Sequence, residues 1–152
     1  MSHPLAYANQ SLYHANILLS GWRAELERGS VPQNQVNQAY ASPVQTQLLD
    51  CYGWLLLAAC RIRQLPESPP RSVSDLPPLP TGLVRPAEAE ACAQLEQSGW
   101  VAALKAPISD SPVVRHSDSL AVETGVGLAQ FEDWAQQLAG LAETVADAID
   151  ES

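Results

Sequence analysis

In three long stretches of this 152-residue chain, apolar residues recur at alternating steps of three and four, and that rhythm constrains the fold more than any other feature. The first stretch carries it through Leu5, Ala8, Leu12, Ala15, Leu19, Trp22 and Leu26. The second runs through Val44, Leu48, Cys51, Leu55, Ala58, Ile62 and Leu65, with Leu49, Tyr52, Leu56 and Ala59 widening the stripe. The third runs through Leu128, Phe131, Ala135, Leu138, Ala142, Val145 and Ile149, with Trp134 and Leu141 beside it. An α-helix turns every ~3.6 residues, so such positions share one face; a half-buried strand would alternate at every second residue.

Local chemistry sets the boundaries. Ser2 or His3 can cap a helix that begins at Pro4, and Gly29 suits the position just past its end, which predicts a helix over 4–28, roughly 37 Å long. Residues 30–42 are rich in amides: Gln33, Asn34, Gln35, Asn37 and Gln38. Ser42-Pro43-Val44-Gln45 then reads as a helix start, giving a second helix over 43–65; one longer helix kinked at Pro43 is the alternative. This second helix is apolar around most of its circumference, so it should be central and touch more than one neighbour. A weaker helix is expected over 87–105, broken or kinked at Ser98-Gly99, and a last one over 126–149.

Residues 66–86 contain seven prolines, a density at which no regular element survives. The segment should be an extended strap, able to cross from one end of a bundle to the other. Pro77-Pro78-Leu79-Pro80 matches the PxxP ligand pattern, though a packed strap explains it as well. Residues 106–122 read as irregular, with Val113-Val114 as a short extended piece, and Gly125-Val126-Gly127 as a helix-start loop. The expected architecture is a single all-α domain, a four-helix bundle with a long proline-rich connection between its second and third helices.

Composition excludes several classes of function. Eight Lys and Arg stand against 17 Asp and Glu, for a net charge of −9 and a pI near 4.6, so the chain lacks the basic surface that phosphates require, and no nucleic-acid partner is expected. The longest apolar run, Trp54 to Cys60, has seven residues where about 20 would span a bilayer, so no membrane partner is expected either. No basic segment followed by an apolar one marks a secretory signal. Three cysteines, Cys51, Cys60 and Cys92, make no CxxC pair, and on one helix Cys51 and Cys60 would face opposite sides. They read as buried free thiols of a cytoplasmic protein.

Charge is unevenly placed. Residues 1–85 sum to +1 and residues 86–152 to −10, with no Lys or Arg after Arg115. The last helix should present Glu132, Asp133, Glu143, Asp147 and Asp150 to solvent, to dock a basic partner, to keep the protein in solution by repulsion, or to pair with Arg61 and Arg63.

The residues of catalysis are missing. His3, His14 and His116 stand apart, without metal-ligand spacing, and no P-loop, Gly-x-Ser-x-Gly or Gly-x-Gly-x-x-Gly occurs. No catalytic residue, metal or cofactor is therefore assigned. Two binding candidates remain. Asn9, Tyr13 and Asn16 share one face of the first helix, from which Tyr13 could reach Tyr52 or Arg61 and form a ligand or partner site or a register-fixing cluster. Trp100 follows the break in the third helix, as a plug for the bundle end or as an exposed contact.

Asn9-Gln10-Ser11-Leu12-Tyr13-His14-Ala15, Leu48-Leu49, Tyr52-Gly53, Cys60-Arg61 and Ser98-Gly99-Trp100 together resemble a family of uncharacterised small helical proteins, a domain of unknown function, from pseudomonad-type bacteria. The resemblance implies a cytoplasmic bacterial protein and no known activity. Three readings of function follow: a non-enzymatic interaction module that docks a partner protein or a second copy of itself; a small-ligand binder or enzyme with a pocket near Asn9, Tyr13 and Tyr52; and an acidic inhibitor or immunity-type protein that neutralises a basic partner.

Overall fold

His3 and Gly29 bracket the first helix, α1 (Pro4–Arg28), in the computed structural model, which describes residues 3–78, 82, 84–108 and 127–150. The His3 imidazole accepts the Leu5 amide through Nδ1 at 3.1 Å, and Gly29 stops the helix with φ of 69°. After a turn of four residues the chain enters α2 (Gln33–Ala59), followed by a 3-10 turn at Val73–Asp75, α3 (Ala87–Ser98), α4 (Trp100–Leu104) and α5 (Leu128–Asp150). Among the described residues there is no strand. Val113-Val114, Val126 and the Leu79-Pro80 half of the PxxP match lie outside the described residues.

α2 differs from its expected span at both ends. Pro43 lies inside the helix, as in the alternative of one longer helix, rather than at its start. It removes one backbone hydrogen bond, a cost of about 3 kcal/mol in a helix interior. Contacts made by the preceding turns offset it: Val36 and Ala41 are buried, Tyr40 stacks on Trp22 at 5.9 Å, and Asn37 accepts the Trp22 indole N–H at 2.9 Å. At the other end α2 stops at Ala59, six residues before Leu65. The Arg61 amide bonds back to the Ala58 carbonyl and the Ile62 amide to that of Leu57, with Arg61 at φ 57°. This is the helix stop usually built on glycine, here with arginine in the left-handed position.

Every residue from Cys51 to Ala58 is buried, because α2 meets α1, α5 and α3 at once. Ring pairs fix the directions. Tyr7 stacks on Trp54 at 4.9 Å and Trp22 on Tyr40, so α1 and α2 are antiparallel. Trp22 meets Phe131 at 5.5 Å, and Arg61 donates to the Ala148 carbonyl at 3.1 Å, so α5 runs parallel to α2. α1, α2 and α5 thus form a helical bundle, whose core includes Trp22, Tyr52, Phe131, Leu48 and Leu138.

The strap packs against α2, but it goes out and back instead of crossing the bundle. By Pro70 and Arg71 it has descended to Gly53 and Asp50, where Arg71 and Asp50 pair at 2.9 Å. A Cβ on Gly53 would lie 2.1 Å from the Pro70 carbonyl oxygen, so only glycine admits the strap at that level. By Arg85 the chain is again close enough to Cys60 to act on its thiol. α3 and α4 then run down α2, until Gln45 donates to the Leu104 and Ala106 carbonyls, both at 2.9 Å. Gln45 therefore caps α4 instead of its own helix start.

Candidate functional site

The structure divides the candidate residues. Asn9, Tyr13 and Asn16 are exposed on α1, with Tyr13 66 % accessible and its ring centroid 6.4 Å from that of His14. Tyr52 is 0 % accessible and faces α3, where its hydroxyl donates to the Glu96 carboxylate. Asn9 and Tyr13 are not brought together with Tyr52, because α1 turns the first two toward solvent while α2 keeps the third inside. Arg61 does not meet Tyr13 either; its guanidinium is spent on the last turn of α5, a helix end that carries no cation of its own.

Around Tyr52 a polar node ties four elements together. Glu96 on α3 accepts hydrogen bonds from the phenol of α2 and, at 2.9 Å, from the Val73 amide of the 3-10 turn, and forms an ion pair at 3.6 Å with Lys105 beyond α4. Burial pushes the Tyr52 phenol well above its ordinary range, and the hydrogen bond to Glu96 adds to that. Composition and spacing had not singled out Glu96, Val73 or Lys105. A signal was present: Ala89, Cys92 and Glu96 follow the three-and-four rhythm, so a carboxylate falls on the buried face of α3, where only a partnered one is tolerated.

The Cys92 thiol sits beside Tyr52, and all three thiols are poor nucleophiles. Burial pushes Cys51 up to about 12, with the neighbouring Asp50 carboxylate adding, and pushes Cys92 up to about 11. Cys60 is raised too, by burial, against the opposing charge of Arg85. All three are free thiols, protonated at neutral pH, and at Cys60 burial outweighs the activating charge of Arg85. Among the described residues no group of three His, Cys, Asp or Glu could hold a metal ion.

Trp100 is half-buried and forms a wall of a groove between α4 and α5 rather than a plug. The groove encloses about 540 Å³, with Leu95 and Trp100 on one side and Asp133, Gln137, Gly140 and Leu141 on the other. Among the described residues, Asp133 is the only ionisable group in its lining. On α5, Asp133, Glu143, Asp147 and Asp150 are exposed, whereas Glu132 pairs with Arg23 of α1. The base expected to meet the acids of α5 was Arg61 or Arg63; Arg23 takes that part.

The outer face of α1 has a different character. From Pro4 to Trp22 the helix contains no Asp, Glu, Lys or Arg, and Tyr13 and the 53 % exposed Ile17 stand one turn apart at its centre. No helix among the described residues is long and apolar enough to cross a membrane. No protein-family model, curated protein or solved structure matches the chain.

Proposed function

We propose that this chain is a non-enzymatic protein-interaction module that docks its partner on the outer face of α1. One observation carries the reading: Tyr13 and Ile17 are exposed side by side on a helix face without charge. Interface centres are depleted in charged residues and enriched in tyrosine, and an exposed aromatic-aliphatic pair is where hydrophobic burial on docking gains most. Asn9 and Asn16 flank the pair as adaptable hydrogen-bonding groups. In this reading α3 and α4 are the fourth helix of the bundle, divided at Gly99, and the proline-rich strap is their connection to α2. The three free thiols support a cytoplasmic location. The kinship with uncharacterised helical proteins of pseudomonad-type bacteria belongs to the same proposal and supplies no activity.

The test is photocrosslinking with benzoylphenylalanine at position 13 in the cells that make the protein, with position 139 on α5 as control. A discrete covalent protein adduct from position 13 and none from position 139 is the expected result. No adduct from position 13 overturns the reading. A second reading, an acidic inhibitor that neutralises a basic partner, is favoured by the four exposed carboxylates of α5, a helix without a base; it requires the adduct to come from position 139 instead.

A further inference from the structure

The outer face of α1 reads the same in both directions. Its exposed positions step by four and three through Ala6, Gln10, Tyr13, Ile17, Ser20 and Ala24, all diametrically opposite the buried stripe of Ala8, Ala15 and Trp22. Reversed about residue 15, Tyr13 falls on Ile17, Gln10 on Ser20 and Ala6 on Ala24. Large apolar groups meet at the centre, hydrogen-bonding groups meet one turn out, and small groups that let backbones approach meet beyond them. One step further, His3 falls on Glu27, and both are exposed. Because His3 Nδ1 already accepts the Leu5 amide, the neutral ring carries its proton on Nε2, as a donor for a carboxylate.

We propose that the occupant of this face is a second copy of the chain, its α1 laid antiparallel on the first across a two-fold axis between Tyr13 and Ile17. The proposal rests on the docking reading above and names its partner. A two-fold interface must be complementary to itself, and an antiparallel helix pair satisfies this only if its contacts survive reversal, as these do. Charge selects the same face. The exposed carboxylates of α5 would repel their counterparts in a second copy, whereas the centre of α1 brings no like charges together. The seam is a three-and-four seam, the spacing with which helices pack side by side at a shallow angle.

The pairing can be tested by swapping charges. In sedimentation equilibrium the chain should approach twice 16.3 kDa as its concentration rises from micromolar to millimolar. Tyr13→Glu and Ile17→Lys should each remain at the single-chain mass, because each homodimer would press an uncompensated charge on an apolar group twice. An equimolar mixture should recover the doubled mass, because Glu at position 13 then meets Lys at position 17 across one half of the seam while Tyr and Ile meet across the other. Unchanged helical circular dichroism in both variants shows that the positions act outside the fold. A wild-type chain that keeps the single mass overturns the second-copy proposal, and a mixture that fails to recover the doubled mass overturns the antiparallel register. The crosslink at position 13 separates the two levels. An adduct of twice the chain mass supports both, an adduct of another mass keeps the docking reading and overturns the second copy, and no adduct overturns both.

Discussion

Tyr13 and Tyr52 stand on adjacent helices in opposite conditions, the first 66 % and the second 0 % accessible. Around Tyr52, a phenol, a carboxylate, an ammonium and a backbone amide meet in one node, with the Cys92 thiol beside it. Around Tyr13 there is neither ion pair nor charge for five turns of helix. Polar chemistry inside and apolar chemistry outside reverse the usual distribution. The inner cluster can be understood as structure, because every polar group in it has a partner and its removal would leave others unsatisfied. The outer pair has no such internal explanation, which is why the function is placed there.

Alanine at the two positions should break the comparison most visibly. Tyr52→Ala removes a fully buried ring and leaves Glu96 without one of its donors, at a cost of about 3–5 kcal/mol in urea unfolding. A loss below ~1 kcal/mol would mean that α3 is not seated on α2 as described.

Glu96→Ala comes next, at about 2–3 kcal/mol, because the Tyr52 hydroxyl and the Val73 amide both lose their acceptor inside the protein. Adding Tyr52→Phe should recover part of the loss by removing one of the orphaned groups. A double-mutant cycle reads this directly, and strictly additive losses would show that the two side chains do not interact.

The helical periods, and with them the bundle, were legible in the sequence, since burial of Leu, Val and Trp at three-and-four spacing leaves few other solutions. The centrality of α2 was legible for the same reason. The stop at Ala59 was not, because the left-handed position that ends the helix holds Arg61, and arginine there carries no turn signal. The start at Gln33 was legible only as the alternative of one longer helix through Pro43, because Ser42-Pro43 is a strong local start signature, overridden by the packing of Tyr40 and Asn37 on Trp22. Of the candidate site, the polar edge of Asn9, Tyr13 and Asn16 was visible, the exposed Ile17 beside it was not singled out, and the supposed tie to Tyr52 was wrong. Helical phase places a residue on a face but not opposite a given neighbour. Glu96 was missed because a carboxylate reads as surface until the elements that bury it are known.

High pH should sharpen the difference between inside and outside. In an unfolded chain, thiols ionise near pH 8.5, whereas in the folded protein burial holds Cys92 to about 11 and Cys51 to about 12. The unfolded state therefore sheds protons first. The contribution is complete below about pH 8.5 and lost as pH rises through 11 and 12, with a slope of about 1.4 kcal/mol per pH unit for each thiol. The raised Tyr52 phenol acts in the same direction from about pH 10 upward, where an unfolded tyrosine ionises. The urea midpoint should fall between pH 9 and pH 10.5 and fall less steeply in Cys51→Ala; a midpoint independent of pH would show that the thiols titrate as if exposed.

Tyr13→Ala should have the smallest effect on stability and is the most discriminating of the set. The ring projects into solvent, so its removal opens no cavity and orphans no hydrogen bond, and the free energy of unfolding of the single chain should change by less than about 0.5 kcal/mol. Its effect belongs to association. If the ring meets Ile17 of a second copy, truncation removes two such contacts per dimer, and the concentration at which half of the chain is dimeric should rise by at least about tenfold, which for a bimolecular equilibrium corresponds to ~1.4 kcal/mol. Unfolding and sedimentation thus respond to opposite members of the pair. Tyr52→Ala weakens the fold, and Tyr13→Ala weakens assembly and leaves the fold intact. A Tyr13→Ala chain that unfolds several kcal/mol more easily at dilutions where the wild type is monomeric would show that α1 is supported from its outer side within one chain, and would remove the free face on which the docking argument depends.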